Sequence, residues 1–425
     1  MPIEIHMWKL FRQKRVYLDY ASAAPVLPAA LNAMREAETL IGNPGAIHKE
    51  GVAAKRALED ARAHIAGLLG CKARGIIFTS GLTEANNLSI IGFARGLQLR
   101  GVRLQDTHWI VSSIEHMSVL TCFAEIERMG AVVSRIDPDQ RGIIQPSALG
   151  RALRPETVFV SVGWANNEIG IVQPLSDIAR TLRAYESGNG SSIIFHTDGG
   201  QAPLYSATSV HSLGVDVLSL GSNKLYGPHG IGCVYMSDRA HLAPPTAGLA
   251  PVILGGAQEA HMRAGTENVA LAAGFAAAFE IVAGERESES KRLRELRGSL
   301  ADELLEKIPG LIVNGSTSLT AGGALKHVLP HMLNVSYQLP ATSYRTAEYV
   351  TLALDHAGIA VSTKSACQEG EKASHVIAAL GGEEWQAKNT LRFSLGRETT
   401  AGDLKRALKV LVRIVGTSKT IKATP

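Results

Sequence analysis

The stretch Ser192-Ile-Ile-Phe-His-Thr-Asp198-Gly-Gly-Gln201 is an apolar run that ends on an acid, two glycines and an amide. The next apolar run, Val217-Leu-Ser-Leu, leads directly into Gly221-Ser-Asn-Lys224. Strand-like and helix-like segments alternate in this manner over most of the 425 residues, which predicts an α/β fold with a mostly parallel central sheet. Ligands bind such sheets at the carboxyl ends of the strands, so we expect Asp198 and Lys224 to face one crevice.

A long helix, expected from Val269 to about Lys307, divides the sequence. Shorter strands and helices follow it and predict a second, smaller α+β domain. We therefore predict three parts: an N-terminal segment 1–28 that packs with the small domain, a large domain 29–287, and a small C-terminal domain 288–425 that carries a polar loop around Cys367.

The composition is that of an ordinary globular protein and disfavours several classes of function. Basic residues exceed acids by 43 − 39 = 4 without a long basic run, and only 5% of residues are aromatic, so a nucleic-acid-binding platform is disfavoured. Apolar runs stay below about 18 residues and the first residues lack a secretory signal core, so we expect neither a membrane span nor export. Four widely spaced cysteines disfavour disulfides or a zinc site and favour a reducing, cytoplasmic setting.

Lys224 and Asp198 together suit pyridoxal 5′-phosphate. A lysine at a strand end can form a Schiff base with a carbonyl group. A neighbouring acid can keep the pyridine nitrogen protonated, which makes the ring an electron sink. Taken alone, a surface lysine and a turn-forming aspartate explain the same two residues.

The segment Phe78-Thr-Ser-Gly-Leu82-Thr83-Glu-Ala-Asn-Asn passes from a strand through a turn into a helix. A helix N-terminus offers N–H groups and a positive dipole to an anion, and the Thr83 hydroxyl can add a bond, so the segment predicts a phosphate site. A simple helix cap is the alternative. The sequence contains neither GxGxxG nor GxxxxGK[ST], which weakens a nucleotide-binding interpretation.

Two polar residues follow other predicted strands. His116 comes after Trp109-Ile-Val-Ser, where a histidine can stack on a ring and move protons near neutral pH. Asn167 comes after the strand that begins at Thr157 and would face the same crevice. A structural histidine and a turn amide are the alternatives.

Two residues of the C-terminal part also have side chains suited to catalysis or substrate binding. Cys367 lies in a polar stretch near Lys364, where a cation favours the reactive thiolate, and an incidental exposed cysteine is the alternative. Arg392 lies inside an apolar strand and needs an anionic partner, for which a substrate carboxylate is a candidate.

Together these segments resemble the cysteine desulfurases, pyridoxal-phosphate enzymes of the class V aminotransferase family. The resemblance covers nearly the whole chain and implies the fold of the fold type I pyridoxal-phosphate-dependent transferases. The motifs that carry it stand in family order: Tyr17-Leu-Asp-Tyr-Ala, Gly42-Asn-Pro-Gly-Ala-Ile-His48, Phe78 to Asn87, Glu115-His116, Asn166-Asn-Glu-Ile-Gly, His196-Thr-Asp-Gly-Gly-Gln, Lys224-Leu-Tyr-Gly-Pro, Arg263-Ala-Gly-Thr-Glu-Asn, Ser365-Ala-Cys367 and Arg392-Phe-Ser-Leu-Gly-Arg.

The resemblance implies a role for each matching residue. Lys224 would form the Schiff base and carry a proton, and His116 would stack on the ring as acid and base. Cys367 would attack the sulfur of the cysteine–cofactor adduct, leaving alanine and a Cys367 persulfide. The other contacts would be Asp198 at the pyridinium nitrogen, Gln201 at the ring hydroxyl, Asn167 at the cofactor, Asn223 beside the lysine, Leu82 and Thr83 at the phosphate, Thr266 at the phosphate of the other subunit of a homodimer, and Arg392 at the substrate carboxylate.

The sequence departs from the family pattern at several positions. Leu82 replaces a small residue beside Thr83, and Gly221 and Asn223 stand where a serine and a histidine usually precede the lysine. Lys364 replaces a glycine before Ser-Ala-Cys, and Gln368-Glu369 replaces small polar residues. We predict an intact Schiff base with an altered grip on the phosphate.

The sequence is compatible with several functions. The resemblance implies that sulfur passes from L-cysteine to an acceptor protein for iron–sulfur cluster assembly or RNA thiolation, with tRNA only an indirect partner. Selenocysteine lyase uses the same chemistry. Another class V reaction, with Cys367 incidental, and a non-catalytic sulfur-relay or scaffold protein are further alternatives.

Overall fold

The computed structural model describes residues 14–207, 209–242, 248–315, 327–338, 346–363 and 373–415. The chain forms two compact units. The large unit consists of Ala23–Asn167 and Ile171–Ser288, and the small unit of Met1–Ser22, Glu168–Gly170 and Glu289–Pro425. The predicted division 1–28, 29–287 and 288–425 stays a prediction, and the Cys367 loop lies outside the described residues.

The strands are two to five residues long, and most are apolar. They are β1 (Val16–Tyr17), β2 (Ile76–Thr79), β3 (His108–Ser112), β4 (Val132–Ile136), β5 (Thr157–Ser161), β6 (Ile194–Asp198), β7 (Val217–Gly221), β8 (Gly232–Met236), β9 (Ile312–Val313), β10 (Met332–Ser336), β11 (Ile359–Ala360) and β12 (Thr390–Ser394).

Helices connect most of the strands. They are α1 (Pro28–Glu38), α2 (Lys49–Leu69), α3 (Leu82–Leu99), α4 (Met117–Arg128), α5 (Pro146–Ala152), α6 (Leu175–Asn189), α7 (Val210–Leu213), α8 (Asp238–Leu242), α9 (Val269–Lys307), α10 (Ala347–His356), α11 (His375–Ala379), α12 (Glu384–Lys388) and α13 (Ala401–Val415). The boundary between the two units falls inside α9.

The large unit contains a seven-stranded sheet in the order β2-β8-β7-β6-β5-β3-β4. Strands β3 to β7 pair in parallel, whereas β8 is antiparallel to both β7 and β2. The segment between β7 and β8 has no α-helix and is too short for a parallel crossover, which explains the reversal. The predicted α/β fold with a mostly parallel sheet is confirmed.

The small unit contains two smaller sheets. Strands β12, β10 and β9 form an antiparallel sheet, and β1 pairs in parallel with β11. An isolated bridge joins Ser362 to Arg392, so the last described residues before the Cys367 stretch are tied to β12.

Three aromatic side chains fix α3 against the sheet of the large unit. Phe93, Trp109 and Phe159 are fully buried. Their ring centroids are 5.6, 5.1 and 4.9 Å apart, a spacing that adds about 0.5–1.5 kcal/mol per pair beyond the area buried. This packing holds α3 against β3 and β5.

A buried ion pair joins α2 to the segment before α9. Arg62 donates to both carboxylate oxygens of Glu259 at 2.7 Å, and the backbone N–H of Phe78 donates to the same carboxylate at 2.7 Å. Glu259, Ala260 and His261 all have a left-handed backbone, with φ of 49°, 54° and 65°. Each costs a non-glycine residue roughly 1–2 kcal/mol, so the ion pair holds a strained turn.

We expect Glu259→Gln to lower the free energy of unfolding by about 3–5 kcal/mol, because it leaves the Arg62 charge buried without its partner. Glu59→Gln is the matched control, since Glu59 contacts the same arginine but is 49% exposed. Its loss should stay near 0–1 kcal/mol. Urea unfolding of both variants measures the difference, and equal losses would contradict the assignment.

Candidate active site

The predicted site residues of the large unit follow strand ends on one edge of the sheet. Strands β2, β3, β5, β6 and β7 run in the same direction, so their carboxyl ends lie at the same edge. The residues there are Leu82 and Thr83 after β2, His116 after β3, Asn167 after β5, Asp198 and Gln201 at the end of β6, and Asn223 and Lys224 after β7.

Lys224 ends a short 3-10 turn, Ser222–Lys224, that follows β7 directly. The N–H groups of Leu225 and Gly227 both donate to the Ser222 carbonyl, at 2.8 and 3.0 Å. The Lys224 side chain is half-buried. The turn therefore holds the lysine at the strand end, partly shielded from water.

Residues near the start of the large unit brace this turn. The N–H of Ala24 donates to the Asn223 carbonyl at 3.3 Å, and the N–H of Leu27 donates to the Tyr226 carbonyl at 2.9 Å. Tyr226 is buried and has a left-handed backbone with φ of 58°, which only a well-braced non-glycine residue maintains.

Asp198 is the buried acid at the end of β6. One of its carboxylate oxygens accepts from the Gly200 backbone N–H at 2.8 Å, and the other accepts from Asn86 Nδ2 at 2.7 Å. Hydrogen bonds to both oxygens compensate for the loss of water and fix the plane of the carboxylate.

Glu115 is a second buried acid beside Asp198. Its Oε1 accepts from the Gly163 backbone N–H at 2.7 Å. Burial raises the pKa of Glu115 to about 8, and the negative charge of Asp198 contributes in the same direction. At neutral pH, therefore, Glu115 is mainly the neutral member of the pair.

His116 begins α4 as its N-cap. The backbone N–H of Ser118 donates to His116 Nδ1 at 3.1 Å, and the Ser118 hydroxyl lies 2.9 Å from the same nitrogen. The same hydroxyl accepts from Asn86 Nδ2 at 2.9 Å. A continuous chain of hydrogen bonds therefore links His116 to Asp198.

The helix α3 begins without a side-chain cap at Gly81, so its first N–H groups suit an anion. A Cβ on Gly81 would meet nothing within 4 Å, which leaves open space beside this helix start. Thr83 is exposed there. The segment has the features of the phosphate cradle that the sequence predicts.

Leu82 lies between two glycines of the strand ends. A Cβ on Gly200 would come within 2.7 Å of Leu82 Cδ2, and a Cβ on Gly221 within 2.9 Å of Leu82 Cβ and 3.1 Å of Asn223 Oδ1. Leu82 therefore occupies space that a side chain at position 221 would need, so a large residue at 82 goes with glycine at 221.

Thr266 is exposed on the segment that follows the left-handed turn. It lines a cavity of about 230 Å³ with Thr79 and Ser80 from the end of β2. Arg263 joins this segment to α3 by donating to Glu84 at 3.0 Å.

Arg392 belongs to the small unit, where its side chain is 1% exposed. It donates to Asp19 Oδ1 at 2.8 Å and to the Ser22 hydroxyl at 2.7 Å. Asp19 is therefore an anionic partner of the buried Arg392 within the chain itself. From the sequence, the candidate for this partner was a substrate carboxylate.

The three described cysteines are free thiols, of which Cys122 and Cys233 are buried and Cys71 is half-buried. Burial raises the pKa of Cys71 to about 11 and that of Cys122 to about 12, and it raises the pKa of Cys233 as well. Cys367, the predicted sulfur carrier, lies outside the described residues.

Asn86 and Ser118 are site residues that the sequence interpretation missed. Asn86 lies three positions after Thr83, one turn along α3, and is fully buried in a stripe of otherwise small or apolar residues. A polar residue on the buried face of the cradle helix was the available signal.

Every helix in the described part of the chain is too short or too polar to cross a membrane. The same described ranges contain no group of three or more His, Cys, Asp or Glu side chains arranged to hold a metal ion.

Known proteins share this architecture over nearly the full length. Residues 16–407 match the family model for aminotransferase class-V. Cysteine desulfurase IscS of Dictyoglomus turgidum is 36% identical over 411 residues, which cover 96% of each chain. Cysteine desulfurase IscS 1 of Archaeoglobus fulgidus is 37% identical over 401 residues, covering 94% of this chain and 96% of that protein.

Solved structures agree with the sequence relatives. A NifS-like protein superposes with a TM-score of 0.81 at 28% identity, covering 95% of this chain and 99% of that one. A structure described as SspA in complex with cysteine gives a TM-score of 0.72 at 30% identity, covering 89% and 98%. The implied fold type I of pyridoxal-phosphate-dependent transferases is confirmed. The chain belongs to the class V aminotransferase family and, within it, to the cysteine desulfurases.

Proposed function

We propose that this cysteine desulfurase uses pyridoxal 5′-phosphate to remove sulfur from L-cysteine, releasing L-alanine and leaving the sulfur as a persulfide on Cys367. The observation that carries the proposal is the buried carboxylate of Asp198, hydrogen-bonded on both oxygens, at the end of the strand adjacent to the one that leads into Lys224. A ring nitrogen that must stay protonated requires such a fixed anion.

The described residues fit the cofactor. The uncapped start of α3 and the open space beside Gly81 suit its phosphate, with Leu82 and Thr83 at the contact. When bound, pyridoxal phosphate supplies an electron sink next to the substrate carbon. We assign the remaining contacts to Gln201 at the ring hydroxyl, Asn167 and Asn223 beside the ring, and Thr266 at the phosphate of a second subunit.

The chain's own side chains would perform the proton and sulfur transfers. Lys224 would hold the cofactor aldehyde covalently and afterwards carry protons. His116 would cover the ring face and serve as acid and base. Arg392 would grip the substrate carboxylate, its guanidinium held at one side by Asp19 and Ser22. The Cys367 thiolate would attack the substrate sulfur and retain it as the persulfide.

Substrate and partners follow from this chemistry. SspA, at 30% identity, is described in complex with cysteine, which supports L-cysteine as the substrate here. The persulfide requires an acceptor protein, in a pathway of iron–sulfur cluster assembly or RNA thiolation that involves tRNA only indirectly. We also propose a homodimer and a cytoplasmic location, where a reducing environment keeps the Cys367 thiol available.

The central test is turnover of L-cysteine in the presence of a reductant. We expect a visible absorbance band in the wild type, lost in Lys224→Ala, and equal amounts of sulfide and alanine, lost in Cys367→Ala. Cys71→Ala is the control and should turn over normally, since partial burial raises the pKa of the Cys71 thiol to about 11 and keeps it protonated. A wild type without the band, or undiminished alanine release by Cys367→Ala, would refute the proposal. Competition between cysteine and selenocysteine distinguishes a cysteine desulfurase from a selenocysteine lyase.

A second prediction concerns Gly221 and the phosphate grip. We expect Gly221→Ala to lower the free energy of unfolding by about 1–3 kcal/mol and to weaken cofactor binding, because the new Cβ would press on Leu82. Gly188→Ala in α6 is the control: its Cβ would meet nothing, so a gain of up to about 1 kcal/mol is expected. Unfolding and cofactor titration measure both, and a neutral Gly221→Ala would disprove the packing argument.

A third prediction concerns pH. The pKa of Glu115 is raised to about 8 in the folded chain from an ordinary value of 4.5, so between these pH values the folded state binds the extra proton. Its contribution to stability is complete below about pH 4.5 and falls, by up to about 1.4 kcal/mol per pH unit, until about pH 8. Glu115→Gln should flatten this decline, since glutamine keeps an acceptor for Gly163.

Urea unfolding of the cofactor-free protein at several pH values between 5 and 8 measures the slope. Glu38→Gln, which changes an exposed glutamate, serves as the control and should retain the wild-type slope. An unchanged slope in Glu115→Gln would show that Glu115 is already ionised in the folded chain.

A further inference from the structure

Asn86 joins two residues of the proposed site through a single nitrogen. Its side chain is fully buried in α3. Nδ2 lies 2.7 Å from Asp198 Oδ2 and 2.9 Å from the Ser118 hydroxyl, so each of its two hydrogens has an acceptor.

The charge of Asp198 sets the direction of these bonds. A carboxylate only accepts hydrogen bonds, so the amide must face Asp198 with its NH2 group. The same NH2 then donates to the Ser118 oxygen, which leaves the Ser118 hydroxyl hydrogen to donate to His116 Nδ1 at 2.9 Å.

Two donors therefore meet at one nitrogen of His116. The Ser118 hydroxyl is the first, and the Ser118 backbone N–H, at 3.1 Å, is the second. A nitrogen that accepts from both carries no proton, so neutral His116 holds its hydrogen on Nε2.

The oxygen of the Asn86 side chain indicates that this residue acts through its NH2 group. Asn86 Oδ1 is buried and has no hydrogen-bond partner among the described residues. Burying an unpaired acceptor is costly, and an apolar side chain of similar shape would avoid that cost. The amide is thus retained at this position for its two donors.

We propose that Asn86 is a positioning residue that orients the Asp198 carboxylate and, through Ser118, keeps the proton of His116 on Nε2. This inference rests on the proposed function only in assigning Asp198 and His116 to the cofactor ring. One amide then controls both the group at the ring nitrogen and the group at the ring face.

The test is nitrogen-15 NMR of histidine side chains in the full-length chain without cofactor, with His116 identified by the signal lost in His116→Gln. We expect wild-type Nδ1 to resonate as an unprotonated nitrogen and Nε2 as a protonated one. Asn86→Asp replaces the donor by an acceptor, so the Ser118 hydroxyl would donate to residue 86 and no longer to His116. The Nδ1 resonance should then shift, because Nδ1 keeps only the Ser118 backbone N–H as a donor.

Asn87→Asp is the matched control. Asn87 is the next residue, and its Nδ2 donates only to the Thr83 carbonyl, at 2.9 Å, within α3. It adds the same charge and should leave the His116 signals unchanged. A wild-type Nδ1 that is already protonated, or an Asn86→Asp spectrum identical to the wild type, would overturn the proposal.

A second variant keeps the test decisive should Asn86→Asp fail to fold. Asn86→Leu preserves the shape and removes both donors. We expect its dissociation constant for pyridoxal phosphate to rise at least about tenfold (roughly one bond to a charged group), whereas Asn87→Leu, which removes only the bond to the Thr83 carbonyl, should keep the wild-type affinity. Wild-type affinity in Asn86→Leu would refute the role. Failure of the proposed function alone would instead appear as missing cysteine turnover with the His116 signature intact.

Discussion

A carboxylate withdrawn from water needs hydrogen-bond donors on both oxygens, and the end of β6 is organised around meeting that need for Asp198. Gly200 supplies one donor from the backbone and Asn86 supplies the other from α3. This requirement ties α3, which begins the proposed phosphate cradle, to β6, which carries the acid. Glu115 is buried close by, and burial, with a smaller contribution from Asp198, raises its pKa.

The small unit meets the equivalent requirement for a buried cation. Arg392 is held by Asp19 and Ser22, and Ser22 also donates to Asp19 at 2.9 Å. The three groups form a closed triangle that fixes the guanidinium before any substrate arrives. Because the backbone of Ser362 bonds to that of Arg392, the beginning of the Cys367 stretch is anchored at the same strand. The proposed carboxylate grip and the described residues that precede the Cys367 stretch thus belong to one hydrogen-bonded unit.

The alternation of apolar runs with helical segments was enough to predict the sheet, its mostly parallel pairing and the strand ends at which Asp198 and Lys224 lie. The direction of β8 was not predictable from its own residues, since it depends on the connection before it. Asn86 and Asn87 are identical in local sequence signal, and only the tertiary contact to Asp198 separates them. The Asp19 partner of Arg392 lies 373 residues away, beyond any local pattern. The roles of all the proposed site residues, Cys367 and Thr266 among them, stay predictions.

The raised pKa values of Cys71 and Cys122 affect which thiols could accept the sulfur. Sulfane sulfur passes between cysteines only when the receiving thiol is ionised. With the pKa of Cys71 at about 11 and that of Cys122 at about 12, almost none of either is thiolate at neutral pH. Neither thiol is therefore a ready internal acceptor for sulfur held on the proposed carrier Cys367. The proposed transfer to an outside protein would compete little with transfer to these two cysteines.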